Sequence, residues 1–233
     1  VLLASHIDAD GLTSAAIAST GLERAGITHD VVFKKQLDAD EIASIAAREF
    51  DTVLFTDFGS GQLDVIAEHE RAGDFQPVIA DHHQPADVDG HSPSSSGTES
   101  RPEETEFHLN PLLEGINGAS ELSGAGASYL LARALEDGTD NRDLAALAVV
   151  GAVGDMQAVG GELVGANRDI VAEGIEAGAL EEGTDLAFYG KQTRPLPKLL
   201  EYASEVRIPG ISNDEAGAVS FLEGLDVELQ ADG

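Results

Sequence analysis

The sequence predicts an α/β fold: a parallel sheet with helices on both faces, followed by a helical connecting segment. Three observations carry this. Short apolar runs recur at residues 1–5, 31–34, 52–56 and 77–80. The segments between them have the spacing of amphipathic helices. Three of the runs also end directly on acids or imidazoles, which only parallel strands would gather at one edge of a sheet.

Val1–Ser5 reads as a buried strand because it is apolar up to a polar cluster. A helix follows, over Leu12–Ala25, with Asp10 as its N-cap and Gly26 as its stop. Val31–Lys34 is the second strand and Asp38–Glu49 the second helix. Thr52–Thr56 is the third strand, Gln62–Ala72 the third helix and Pro77–Ala80 the fourth strand.

Residues 86–106 are polar and of low complexity, with Ser92-Pro93-Ser94-Ser95-Ser96-Gly97 at their centre, and predict a surface insertion. Phe107–Leu109 predicts a further strand, and helices follow near Gly126–Glu136 and Arg142–Val153. The second of these is almost wholly apolar, which predicts burial. Another helix is expected near Asn167–Ala177. Residues 189–210, rich in Pro and bases, look like a connection, and Asn213–Leu225 reads as a last helix. No internal repeat is evident.

Forty-three acids face thirteen bases, for a formal charge of −30. The acids are spread along the chain rather than gathered in a tail, and such self-repulsion destabilises a compact state in dilute buffer. At ~1 M salt the Debye length falls to about 3 Å, so the repulsion is screened. The composition therefore predicts adaptation to a salt-filled cytoplasm, with an acidic protein that avoids nucleic acid as the alternative. Cysteine is absent, which excludes disulfides and thiolate metal sites and agrees with a cytoplasmic location. No apolar run reaches 18 residues, so no membrane partner is expected.

The chemistry lies at the strand ends. The first strand leads into His6, Asp8 and Asp10, the third into Asp57, and the fourth into Asp81, His82 and His83. Ligand sites of open α/β sheets lie beyond the carboxyl ends of the strands, so these clusters converge. Asp155 follows the apolar helix, where a carboxylate opposes the helix dipole and needs a positive partner. Crowded carboxylates raise one another's pKa unless a cation is present. Carboxylate and imidazole donors suit Mn²⁺ or Mg²⁺, with Zn²⁺ or Co²⁺ as alternatives. Two such ions about 3.5–4 Å apart would clamp a phosphoryl group for attack by a bridging hydroxide.

His6-Ile-Asp8-Ala-Asp10-Gly11, Thr56-Asp57-Phe58-Gly59, Asp81-His82-His83 and Gly151-Ala-Val-Gly154-Asp155 resemble the four ordered motifs of the DHH phosphoesterase family. The segment from Ser5 to Thr13 and the later Tyr189-Gly-Lys-Gln-Thr-Arg-Pro-Leu-Pro look most like archaeal RecJ-like proteins, which resemble the nuclease that associates with the replication factor GINS. The resemblance implies a DHH catalytic domain over residues 1–187. It implies two divalent ions, Mn²⁺ first, with Mg²⁺ or Co²⁺ as alternatives. Asp8 with His6 would hold the first ion, Asp57 would bridge, and Asp10, His82 and Asp155 would hold the second. His83 would contact the scissile phosphate, and Asp81 would orient the imidazoles beside it.

The chain departs from the family in two places. Many members carry the first His four residues before the first Asp, where this chain has Ala4, and His6 stands two before Asp8. The Gly-rich motif of the DHH-associated domain is also missing. Residues 188–233 are therefore expected to be a connector leading toward a C-terminal domain outside this chain.

The resemblance implies a single-strand-specific exonuclease of RecJ type in replication or repair, with single-stranded nucleic acid as substrate and GINS-type proteins as partners. Lys191, Arg194, Lys198 and Arg207 place four of the thirteen bases within seventeen residues, and Lys191 and Arg194 are candidates to bind the strand. A solvated connector explains these bases equally well. An oligonucleotide or cyclic-dinucleotide phosphodiesterase and a non-catalytic replication scaffold are the alternatives.

Overall fold

The computed structural model describes residues 1–86, 106–135, 140–158, 160–183, 190, 193–203 and 207–225. The surface insertion expected at 86–106 falls almost entirely outside the described residues, as does Lys191. The chain divides into two compact units, Val1–Glu181 and Glu182–Gly233.

The first unit holds the strands β1 (Leu2–His6), β2 (Asp30–Lys34), β3 (Thr52–Thr56), β4 (Gln76–Ala80) and β5 (His108–Leu109). They form one sheet in the order β2-β1-β3-β4-β5, and every pairing is parallel. The helices α1 (Ala9–Arg24), α2 (Ala39–Ala46), α3 (Leu63–Ala72), α4 (Gly124–Ala134), α5 (Ala145–Gly154) and α6 (Gly165–Glu176) complete it.

Strand side chains alternate between the two faces, and the two faces make two cores. Leu2, Ala4, Val53, Phe55 and Ile79 pack with Ile42 and Ile45 of α2 and Ile66 of α3. Phe55 is fully buried, and a side chain of this kind contributes about 1.5–3 kcal/mol. On the opposite face, Leu3 and Leu54 meet Ala15, Ala18 and Leu22 of α1. The expected sheet with helices on both faces is therefore present.

Asp38 caps α2 by accepting from the Glu41 amide at 2.9 Å, and Gly73 ends α3 in the left-handed conformation at φ 79°. Three expectations change. Helix α1 starts at Ala9 rather than Leu12, and its N-cap is Asp8, not Asp10. The apolar helix near 142–153 begins as a 3₁₀ turn at Asn141–Leu144 and is not buried all round: Ala145, Ala148, Gly151 and Ala152 are covered, while Val150 and Val153 are exposed. Its small-residue face packs on α1 and α4, and it also packs against α6.

In the second unit, the stretch 189–210 expected as a connection contains a helix, α7 (Leu196–Glu201). It is followed by α8 (Glu215–Glu223). Leu200, Ile211, Ala218 and Leu222 form their own small core, with Leu196 and Ile208 against it. No described helix is long and apolar enough to cross a membrane.

Candidate metal centre

In the order β2-β1-β3-β4-β5, the chain leaves β1 toward one edge of the sheet and continues from β3 toward the other. The crevice between the carboxyl ends of β1 and β3 is the switch point at which such sheets bind ligands. His6 and Asp8 stand at the end of β1 and Asp57 at the end of β3. Asp81, His82 and His83 follow β4 directly.

Three overlapping groups of donors result. His6, Asp8 and Asp57 offer ligand atoms within 4.8 Å of one another, as do Asp10, His82 and Asp155, and as do Asp57, Asp81, His82 and His83. The residues predicted from sequence are thus brought together from strand ends and from the C-cap of α5, with Asp57 shared between groups.

Local hydrogen bonds set the direction of each imidazole. His6 Nε2 lies 3.1 Å from the Lys35 carbonyl. A carbonyl only accepts, so Nε2 carries the proton and a neutral His6 turns its Nδ1 lone pair inward. That Nδ1 is 2.9 Å from Asp8 Oδ2 and 3.6 Å from Asp57 Oδ2. His82 repeats the logic with the ring reversed. Its Nδ1 donates to the Gly118 carbonyl at 2.7 Å. Nε2 then faces Asp57 Oδ1 at 3.2 Å, Asp10 Oδ2 at 3.6 Å and Asp155 Oδ2 at 3.8 Å. Outward hydrogen bonds of this kind fix the tautomer and orientation of metal-binding histidines.

Asp10 is 1% exposed, and its two oxygens accept from the Gly124 and Ala125 amides at 2.7 and 2.9 Å. It therefore caps the N-terminus of α4, where a negative charge is favoured. Burial raises its pKa, partly countered by those amides. Asp57 is the most constrained member. It is 2% exposed and sits at φ 59°, a left-handed conformation costly for a residue with a side chain. Its two carboxylate oxygens and His82 Nε2 are buried without hydrogen-bond partners. Burial pushes the Asp57 pKa up, and the neighbouring Asp10 and Asp81 add to this against the pull of His82. Burial works against a charged His82, but Asp57, the Gly118 carbonyl and Asp10 overcome it and raise its pKa.

Buried polar atoms without partners are rare because each costs about 1–3 kcal/mol. Here they belong to an acid and an imidazole aimed at further carboxylates, and a divalent cation satisfies such a set. A side chain at position 124 would fill the space, since a Cβ on Gly124 would lie 2.4 Å from Asp57 Oδ1. The donors present fit divalent metal.

Asp81 is different. It is fully buried, and its oxygens accept from the Ser60, His82 and His83 amides and from His83 Nδ1 at 2.8 Å. Burial alone would raise its pKa, but His83 and these donors hold it well below the usual carboxylate range. The Asp81 hydrogen bond in turn raises the pKa of His83, whose side chain is half exposed beside the acids.

Four residues at the centre were not singled out by the sequence. Ser60 and Asn110 brace the His83 segment: Asn110 Nδ2 donates to Ser60 Oγ at 2.8 Å and to the His83 carbonyl at 2.9 Å. Gln157 donates to Asp155 Oδ2 at 2.8 Å and accepts from Asn167. Single polar residues of this kind show no periodicity or motif. The Pro after Asn110 and the nearness of Gln157 to Asp155 were the only available pointers.

Of the bases predicted to bind a strand, Arg194 lies in the second unit, with its guanidinium carbon 5.3 Å from the Tyr202 ring centre. The Lys198 ammonium is engaged by Glu201 at 2.8 Å and Glu215 at 2.9 Å.

Residues 188–233 match the DHH-CID domain. Over 227 residues the chain is 29% identical to an uncharacterized protein of Methanocaldococcus jannaschii, covering 96% of this chain and 48% of that one. RecJ of Thermus thermophilus, in complex with Mn²⁺, matches with a TM-score of 0.55 and 26% identity over 75% of this chain and 24% of its own. CDC45 of Entamoeba histolytica matches with a TM-score of 0.53 over 98% of this chain and 47% of its own; at 13% identity this likeness concerns the fold alone. The chain spans about half the length of the curated relative it matches. The match over residues 188–233 and the likeness to RecJ make this chain similar to DHH-type, RecJ-like proteins.

Proposed function

We propose that this protein is a metal-dependent phosphodiesterase, and specifically a single-strand-specific exonuclease of RecJ type in replication or repair. The observation that carries the reading is the set of partnerless buried atoms on Asp57 and His82, at the meeting point of three donor groups. In this reading residues 1–187 form the catalytic domain. His6 and Asp8 would hold one divalent ion and Asp10, His82 and Asp155 a second, with Asp57 beside both. The likeness to an Mn²⁺ complex of RecJ favours manganese. Two such ions would supply positive charge to the phosphodiester oxygens and ease deprotonation of an attacking water.

The chain's own groups do the rest. Asp81 keeps the Nδ1 proton on His83, so His83 presents Nε2 to the substrate and, when protonated, donates a hydrogen bond to the scissile phosphate. The bracing by Ser60 and Asn110 fixes that ring before substrate arrives, which is where electrostatic stabilisation gains its strength.

With a charge of −30, long-range attraction to a nucleic acid is absent. Local contacts must hold the strand, and Lys191 and Arg194 are the proposed ones. A cytoplasm rich in salt suits this charge, and GINS-type partners belong to the same reading. A replication scaffold without catalysis is the competing one, supported by the fold likeness to CDC45.

The deciding experiment is a Mn²⁺-dependent assay in concentrated KCl with single strands of DNA and RNA labelled at either end. Release of mononucleotides that Asp57→Ala abolishes supports the exonuclease. Hydrolysis confined to short oligonucleotides or cyclic dinucleotides replaces the substrate, and no hydrolysis with any strand leaves the scaffold. Arg194→Glu should weaken strand binding and spare a small phosphodiester; equal losses on both remove Arg194 from the strand path.

A further inference from the structure

Gln157 supplies no ligand to the centre, yet it is 1% exposed and touches two of the groups that do. Its Nε2 donates to Asp155 Oδ2 at 2.8 Å and to the Gly118 carbonyl at 2.8 Å. That same carbonyl accepts the Nδ1 proton of His82 at 2.7 Å. One amide nitrogen therefore joins Asp155 directly, and His82 through a shared acceptor. Both of its hydrogens are spent in doing so.

The orientation of this amide is dictated from a distance. The Ser123 backbone amide can only donate, and it meets Asn167 Oδ1 at 3.3 Å. Asn167 Nδ2 must then point the other way, where it donates to Gln157 Oε1 at 2.7 Å. With its oxygen so occupied, Gln157 has to turn its nitrogen toward Asp155 and Gly118. Asn167 is itself 2% exposed. The relay starts at the backbone just before α4, runs through α6, and ends on the residues around Asp155.

We propose that Gln157, oriented by Asn167, is the positioning residue of the Asp10, His82 and Asp155 half of the centre. It holds Asp155 and His82 in the mutual arrangement that accepts a divalent ion. The inference rests on the reading of the centre as a two-ion site. A purely structural Gln157 would tie α5 to α6 and leave metal affinity alone.

The test is a calorimetric titration of the full chain with Mn²⁺ in molar KCl, beside the visible absorption of Co²⁺ as it binds. The unaltered chain should bind two ions. Gln157→Met and Asn167→Ala should bind one of them as before and the other about 10–100-fold more weakly, the usual effect of removing such a partner. The Co²⁺ bands of the weakened site should also change. Should Gln157→Met not fold, Asn167→Ala decides, because it keeps the glutamine and removes the group that orients it. Folded variants that keep both affinities, or that weaken both ions equally, overturn the inference and leave the two-ion reading standing. An unaltered chain that binds no ion overturns the two-ion reading, and this inference with it.

Discussion

Asp57 Oδ1 lies 3.2 Å from His82 Nε2, and neither atom has a hydrogen-bond partner. The two residues follow adjacent strands, β3 and β4, so the sheet itself enforces their approach. Folding thus keeps an acid and an imidazole close, dry and unsatisfied. That arrangement disfavours the metal-free protein and favours a cation.

The first prediction concerns Asp57→Asn. The change removes a buried carboxylate and supplies donors for the atoms around it. Metal-dependent hydrolysis should fall by at least about 100-fold, while the metal-free melting temperature rises by roughly 2–4 °C for each kcal/mol recovered. Melting curves in a chelator check this, and a lower melting temperature would contradict it.

The second concerns metal and pH together. Asp57 and His82 both hold protons more tightly in the folded chain than their ordinary values. By linkage, groups with raised pKa stabilise at low pH, and that stability is lost as pH climbs through the folded values. The metal-free protein should therefore weaken from about pH 4 to about 8 through Asp57, and from about pH 6.5 to about 10 through His82. The lowered groups Asp8 and Asp81 titrate only in acid and do not offset this. Metal displaces the protons, so Mn²⁺ affinity should increase over the same range. Saturating Mn²⁺ at about 100 times its Kd should add roughly 2.7 kcal/mol per site. Thermal melts with and without Mn²⁺ across pH measure both effects.

The third concerns Gly124→Ala. The added methyl would lie 2.4 Å from Asp57 Oδ1 and 2.8 Å from its Cβ. Either Asp57 or the start of α4 must move, at a cost of about 1–3 kcal/mol. We expect loss of metal binding along with lower stability. Ala at the exposed Gly61, where nothing lies near the added carbon, is the control and should bind metal normally.

The fourth separates His83 from the ligands. His83→Ala should keep both ions, as read by calorimetry, while lowering kcat by about 100-fold or more. Asn110→Ala frees the loop that carries His83 and should produce a smaller loss of kcat with KM little changed. Loss of bound metal in His83→Ala would move His83 into the ligand set.

Much of this was legible in the sequence. Apolar runs followed by helical spacing determined the parallel sheet, because a strand buried on both faces has few other patterns open to it. Acids and imidazoles placed just after the runs indicated the edge at which they would meet. The cap of α1 was misread as Asp10 because local rules see only nearby amides. Asp8 takes the amide of Gly11, and Asp10 spends its oxygens on Gly124 and Ala125, more than a hundred residues away.

Composition and order along the chain by themselves determined which residue types gather at the sheet edge. Tertiary structure alone decided what each does there. Asp81 and Asp57 both follow a strand and look alike in sequence, yet Asp81 is surrounded by donors and Asp57 by other acceptors. The polar braces Ser60, Asn110, Gln157 and Asn167 were decided in the same way. A hydrogen bond depends on distance and direction between groups far apart in the chain, and neither quantity is written in a linear pattern.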